Sequence, residues 1–368
     1  MTMDGTRLRI AQVAPPLEAV PPPGYGGTER VVDELVRELD RRGHRLTVFA
    51  SGDSTTVGRL VPTVERALRP AGRADEHGAY MLATLDAILR RAREFDLIHA
   101  HLDFAGVLLA RLSPTPVVAT FHGRLDRPWA ERFLTDPPDG LCALSAAQAA
   151  VHPDVPWSIV PDGLSLDRAP FGERPGDALC FVGRMSPEKG AVDAIEIARR
   201  TGRTLRVATK DPTIPVEREY FENVFRPAAR RADVEILGEL GRTDRDRLFA
   251  ESFASLMPGD WPEPFGLVAI ESLATGTPVV ARRVGGIPEI VRDGLDGILD
   301  GGTAALADRL EEVAALDRSA IRASVLDRFS VRRMTDRYEA VYARVMAGSR
   351  RAPVAIPVGD PEGVRPGS

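Results

Sequence analysis

The chain has 368 residues, more than one hydrophobic core usually organises, so two domains are the first expectation. Its 43% hydrophobic and 27% charged content is that of a globular protein with a solvated surface. A net charge of -5 and a pI near 5.8 argue against a nucleic-acid partner, which needs a basic face, but leave small anionic ligands open.

Residues 1–6 carry no charged-then-apolar signal pattern, and no stretch is long enough to cross a membrane. Cys142 and Cys180 lie in the apolar runs LCALS and ALCFVG without CxxC spacing. They read as buried free thiols in a reducing compartment, so a cytoplasmic location is expected.

From the N-terminus, short apolar strands are predicted at 7–14, 46–50, 96–101, 116–122 and 141–145, with helical patterns between them. The helix over 28–42 is the clearest, with Val31, Val32, Leu35 and Leu39 on one stripe and Gly43 at its end. After Pro161-Asp162-Gly163 the pattern starts again, with strands at 178–183, 204–209, 234–238, 254–258 and 278–281. Helices are expected near 187–200, 216–230, 244–252, 265–275 and 303–316, and 318–347 reads as terminal helices. Strand–helix alternation implies parallel sheets covered on both faces, and its repetition implies two Rossmann-like, doubly wound α/β domains. We divide the chain into 1–165, 166–330 and a terminal helix at 331–349 that packs back on the first domain. The Pro- and Gly-rich tail 350–368 is expected to be disordered.

Ligands in such folds sit beyond the carboxyl ends of the strands. The segment Gly183-Arg184-Met185-Ser186-Pro187-Glu188-Lys189-Gly190 leaves a strand end there. Pro187 suits a first helical position, and Arg184 and Lys189 beside a helix N-terminus would suit a diphosphate. The chain's lysines are Lys189 and Lys210 alone; every other basic side chain is Arg. In Glu263-Pro264-Phe265-Gly266-Leu267-Val268-Ala269-Ile270-Glu271, an apolar helix begins with free N–H groups, and Gly266 admits a ligand close to the backbone. Glu271 on that helix needs a partner, either ligand hydroxyls or a structural Arg.

These motifs resemble the GT-B fold glycosyltransferases of family 4, which retain anomeric configuration. GRMSPEKG resembles that family's phosphate segment, EPFGLVAIE its paired-glutamate segment, residues 274–297 the stretch that follows, and residues 23–54 the glycine loop and first helix. The likeness runs from Arg7 to about Tyr342 and is similar in character to the branch that includes oligosaccharide-antibiotic transferases. It implies a nucleotide-sugar donor held by the C-terminal domain, and a small-molecule or glycan acceptor on the N-terminal side. It also implies no metal or other cofactor, with a role in natural-product or glycan biosynthesis. By the same resemblance, Arg184, Lys189, Gly26 and Gly27 would meet the diphosphate, and Glu271 the ribose. Glu263, with the N–H groups of Phe265, Gly266 and Leu267, would hold the transferred sugar and distal phosphate. His122 would lie beside the reacting sugar, so His122 and Glu263 are the catalytic candidates. Where the family is glycine-rich, Ala208-Thr209-Lys210-Asp211-Pro212 stands here, which leaves the base open and makes Lys210 a pocket candidate or a surface cation.

His99 and His101 project to one face near a strand end and, with Asp103, are candidates for the nucleotide or acceptor pocket. With His122 they could suggest zinc, but nothing fixes a three-ligand geometry, so no metal is expected. His44 and His152 read as structural or exposed, and His77 as lying in a polar loop. Asp244-Arg245-Asp246 superficially matches a metal-binding Asp-x-Asp pattern; with Thr243 before it, it reads instead as a capped helix start. Gly24-Tyr25-Gly26-Gly27 lacks the third glycine of a dinucleotide loop, which weakens an NAD-dependent oxidoreductase. A nucleotide-sugar epimerase of the same fold and a sugar-binding module are the other rivals. Association with further copies of the chain is left open.

Overall fold

The structure, a computed structural model, describes residues 7–349 except Tyr25 and Thr213, and is organised by two parallel sheets. The first contains β1 (Arg9–Val13), β2 (Arg45–Ser51), β3 (Arg59–Val64), β4 (Leu97–Ala100), β5 (Val117–Phe121), β6 (Leu141–Ala143) and β7 (Ser158–Ile159), in the order β3-β2-β1-β4-β5-β6-β7. The second contains β8 (Leu179–Val182), β9 (Leu205–Ala208), β10 (Val234–Gly238), β11 (Ala254–Met257), β12 (Val279–Arg282) and β13 (Gly297–Asp300), in the order β10-β9-β8-β11-β12-β13. Every pairing between neighbours is parallel. The strand order reverses between β1 and β4 in one sheet and between β8 and β11 in the other. Such switch points open crevices beyond the strand ends.

The longer helices are α1 (Gly27–Arg41), α2 (His77–Leu89), α3 (Phe104–Leu112), α4 (Ala191–Thr201), α5 (Arg242–Glu251), α6 (Leu267–Ala274), α7 (Arg318–Arg328) and α8 (Val331–Ser349). The stripe expected on α1 is fully buried, as are Ala269, Ile270 and Ala274 of α6. Central strands β4, β5, β8 and β11 are mostly apolar because both faces are covered.

All ten strands expected from the sequence are present; β3, β7 and β13 are additional. β3 is an edge strand interrupted by Pro62 with a single buried residue, so its pattern is not that of a core strand. The helix expected from 187 instead begins at Ala191. Pro187–Lys189 forms one 3-10 turn, and Gly190 adopts φ +75° before the helix proper. The helical run through 216–230 opens into a π turn at Phe221–Phe225, just ahead of Pro227, which has no N–H for the ladder.

The chain crosses between the sheets at two adjacent places. Leu164 N–H donates to Phe329 O at 3.1 Å, and Val331 N–H donates to Leu164 O at 3.1 Å. Beyond that crossing α8 lies on the first sheet, with Tyr338 and Tyr342 fully buried. The 350–368 tail lies outside the described residues.

Candidate active site

A cavity of about 630 Å³ lies between the sheets, at the carboxyl ends of their strands. Leu102 and Asp103 reach it beyond β4, His122 beyond β5, Gly183 and Arg184 beyond β8, and Thr209 and Lys210 beyond β9. The two switch points therefore open onto one space.

Two helix N-termini meet there. Gly26, Gly27 and Thr28 begin α1, and Gly266, Leu267 and Val268 begin α6. A Cβ on Gly27 would sit 3.3 Å from Leu267 Cδ1, so the absence of a side chain brings the two helix starts close. Gly266 has φ +128°, and a Cβ there would meet Ile287 Cδ1 at 2.7 Å. Unpaired N–H groups and aligned peptide dipoles make each N-terminus favourable for an anion. The sequence-based expectation that the Pro187 turn supplies one of these N-termini is corrected: α4 starts after Gly190, and its first residues do not line the cavity.

Lys189 and Glu263 line the cavity as a half-buried ion pair. Arg184 lines it too, ion-paired with Glu217, and its Nη2 lies 3.6 Å from Glu188. Phe265 also lines the cavity, behind Gly266. Lys210 Nζ stands 3.8 Å from buried Glu18, which also accepts from Arg69 at 2.8 Å. Lys189, Arg184 and Lys210 each face a carboxylate.

Glu271 is 4% exposed and is gripped by two arginines. Arg30 reaches it from α1 across the cleft, and Arg245 Nη2 donates from α5 at 2.6 Å. Burial pushes the Glu271 carboxyl up, but the charges of Arg30 and Arg245 outweigh burial and hold it below the usual carboxylate range. The structural-arginine partner left open by the sequence is therefore present. Glu271 also faces the cavity.

On the other wall, His122 Nε2 lies 2.9 Å from His101 Nδ1, and His101 Nε2 lies 2.9 Å from Gln12 Oε1. Burial pushes the His122 imidazole down to about 4 and that of His101 well below its ordinary value. Asp103 caps the turn, its Oδ1 accepting from the N–H of His122 at 2.7 Å and of Gly123 at 3.2 Å. Its backbone adopts φ 48°, a strained value for a residue with a side chain, and such strain concentrates at functional sites.

His99 must be corrected as a pocket candidate. It is fully buried and does not line the cavity; Nδ1 pairs with Tyr342 Oη at 2.8 Å and Nε2 with Thr120 Oγ1 at 2.9 Å. The helix-start reading of 243–246 also shifts. α5 starts at Arg242 after Gly241, so Thr243 is inside the helix and caps nothing. His77, read as a loop residue, begins α2 and lines the cavity.

Sequence reasoning missed Arg30 and Arg245 as partners of Glu271. It also saw Asp162 only as part of a boundary. Asp162 lines the cavity at 3% exposure, burial pushes its carboxyl up to about 7, and its Oδ1 has no partner among the described residues. Among the described residues no group of three or more His, Cys, Asp or Glu is arranged to hold a metal.

The chain resembles known proteins over most of its length. The model of Glycosyltransferase Family 4 matches residues 25–168, and that of Glycosyl transferases group 1 matches residues 168–323. The chain is 26% identical to the glycogen synthase of Mycobacterium tuberculosis, over 92% of this chain and 96% of that protein. It is 30% identical to the D-inositol 3-phosphate glycosyltransferase of Mycobacterium marinum, over 83% of this chain and 70% of that protein. Among solved structures it resembles AviGT4, a glycosyltransferase involved in avilamycin A biosynthesis, at TM-score 0.70 and 28% identity, covering 93% of this chain and 98% of that one.

Proposed function

The chain belongs to glycosyltransferase family 4 and is a GT-B glycosyltransferase, and on that premise we propose a site-level account of its reaction. A nucleoside-diphosphate sugar lies across the cavity, its diphosphate against the N-termini of α1 and α6 and beside Lys189 and Arg184. Glu271 takes the ribose hydroxyls, and Glu263 the transferred sugar. The acceptor, a small molecule or glycan, enters along the N-terminal wall, where His122 lies beside the reacting sugar. Lys210, His101 and Asp103 border the nucleotide or acceptor. The observation that carries this reading is the convergence of two helix N-termini, Lys189 and two acidic side chains on one space between the sheets.

The chemistry is one of positioning and charge. As the sugar–oxygen bond breaks, the departing diphosphate gains negative charge, which fixed dipoles and cations stabilise without reorganising. Lys189 exchanges Glu263 for phosphate when the donor binds, and this frees the carboxylate for the sugar. The acceptor attacks on the face from which the diphosphate leaves, giving retention, with His122 orienting the sugar. A hydroxyl or a thiol can serve as the nucleophile.

In this reading no metal or other cofactor takes part, because the cations and helix ends do its work. The protein works in the cytoplasm, in natural-product or glycan biosynthesis. Among the described residues no helix is long and apolar enough to cross a membrane. Turnover measured with and without EDTA tests the charge arrangement: equal rates are expected, and loss of activity in chelator restored by a divalent cation would contradict it.

A further inference from the structure

A continuous chain of buried hydrogen-bonding groups runs beneath His122 and is used by none of the steps above. Gln12 lies on β1, His101 just beyond β4, and His122 just beyond β5, three neighbouring strand ends. Gln12 and His99 are fully buried, and His101 is 1% exposed. The His99 and His101 rings lie 4.1 Å apart between centroids. Gln12 Nε2 donates to Tyr342 Oη at 3.4 Å, and Tyr342, on α8, lies 2.8 Å from His99 Nδ1.

Two histidines in contact through ring nitrogens cannot choose their protons independently. With its amide so oriented, Gln12 offers His101 only an acceptor, Oε1, so His101 carries its proton on Nε2. His101 Nδ1 is then a lone pair, which must accept, and the partner at 2.9 Å is His122 Nε2. His122 therefore carries its proton on Nε2, leaving Nδ1 unprotonated. Nδ1 has no partner among the described residues, and His122 lines the cavity.

We propose that Gln12 and His101 are positioning residues that lock His122 as the Nε2–H tautomer, so that its Nδ1 presents a fixed hydrogen-bond acceptor to the reacting sugar. The proposal rests on the reading of this cavity as a sugar-transfer site. A locked acceptor recognises a group that donates, such as a sugar hydroxyl, and would not recognise a carbonyl or phosphate oxygen there. Burial keeps both imidazoles neutral, so the pattern of donors and acceptors is not scrambled by protonation near neutral pH.

The test is nitrogen-15 NMR of the histidine rings in the full-length protein, with His122→Gln used to assign the His122 signals. The expected result is a single Nε2–H form of His122 in the wild type. Mixed tautomers are expected in His101→Leu and in Gln12→Leu, and the single form should return in His101→Asn, whose Oδ1 can replace Nδ1 as acceptor. Turnover of the nucleotide sugar with the largest hydrolysis rate among UDP-glucose, ADP-glucose and GDP-mannose should show kcat lower by roughly tenfold in either leucine variant, the scale of one lost hydrogen bond. Its KM should be unchanged, and the asparagine variant should recover kcat. Gln12→Leu keeps the question decidable if His101→Leu fails to fold. An Nδ1–H or mixed His122 in the wild type, or an Nε2–H form that persists in both leucine variants, overturns the lock. Wild-type kcat in both leucine variants overturns its role in turnover. His122→Ala separates this from the wider reading: an undiminished rate there rejects the sugar-transfer site itself, whatever the tautomer.

Discussion

Lys189 and Glu263 show how a site can be poised by two side chains that occupy each other. Their ion pair compensates two charges at the edge of the cavity, and in the proposed reaction a diphosphate competes for the lysine. In the proposed reaction, Lys189→Ala removes a charge that acts most strongly when the leaving group is fully charged. Its kcat should fall by roughly 10²-fold or more, the scale of a lost oxyanion donor, while thermal unfolding stays near wild type. Glu263→Gln should also lower turnover sharply. Near-wild-type rates for both would discredit the assignment. His122 gives a second prediction at this scale. Burial pushes its imidazole down to about 4, so NMR titration should find it neutral to below pH 5, and a midpoint near 6.5 would contradict the buried geometry. Because the unfolded chain takes up this proton near pH 6.5 and the folded chain only near 4, the His122 contribution to stability is lost as pH falls through that window.

At the scale of elements, the site is made by two helix starts, and each start depends on a glycine. Gly266 takes φ +128° at the N-terminus of α6, where an added methyl group would run into Ile287. Gly266→Ala should therefore cost about 1–3 kcal/mol in urea unfolding and weaken nucleotide binding as well. An unchanged midpoint and affinity would show that α6 does not depend on that conformation. The glycine–helix pairing was visible in the sequence because it is local: EPFGLVAIE contains the bend, the apolar face and both acids. Other elements were less visible where distant partners decide. Thr243 looked like a cap because its neighbours suit one, yet α5 starts two residues before the expected first helical residue, at Arg242. Pro187 looked like a helix start, but Gly190 reaches its left-handed conformation first and moves that start four residues on. His99 pointed the right way for a pocket, but Thr120 on β5 and Tyr342, far along the chain on α8, hold it as a core residue.

Across the whole molecule, the two sheets were legible from the repeated strand pattern, whereas the contacts that join them were not. Arg30 on α1 and Arg245 on α5 converge on Glu271, a meeting of segments that no periodicity encodes. Arg30→Gln should lower stability by about 2 kcal/mol, the order expected when a charged hydrogen bond to a buried carboxylate is lost. Nucleotide should restore part of that loss, since ribose hydroxyls can replace the missing donor. If added nucleotide stabilises the variant no more than the wild type, Glu271 is a structural anchor alone. The central claim is that the space between the sheets is a diphosphate cradle. Calorimetric titration of wild-type protein and Lys189→Ala with UDP, GDP, ADP and dTDP, each beside its monophosphate, tests it most directly. At least one diphosphate should bind the wild type more tightly than its monophosphate, and the alanine variant should lose most of this preference. Equal affinity for mono- and diphosphates, or a preference untouched by the substitution, would contradict it.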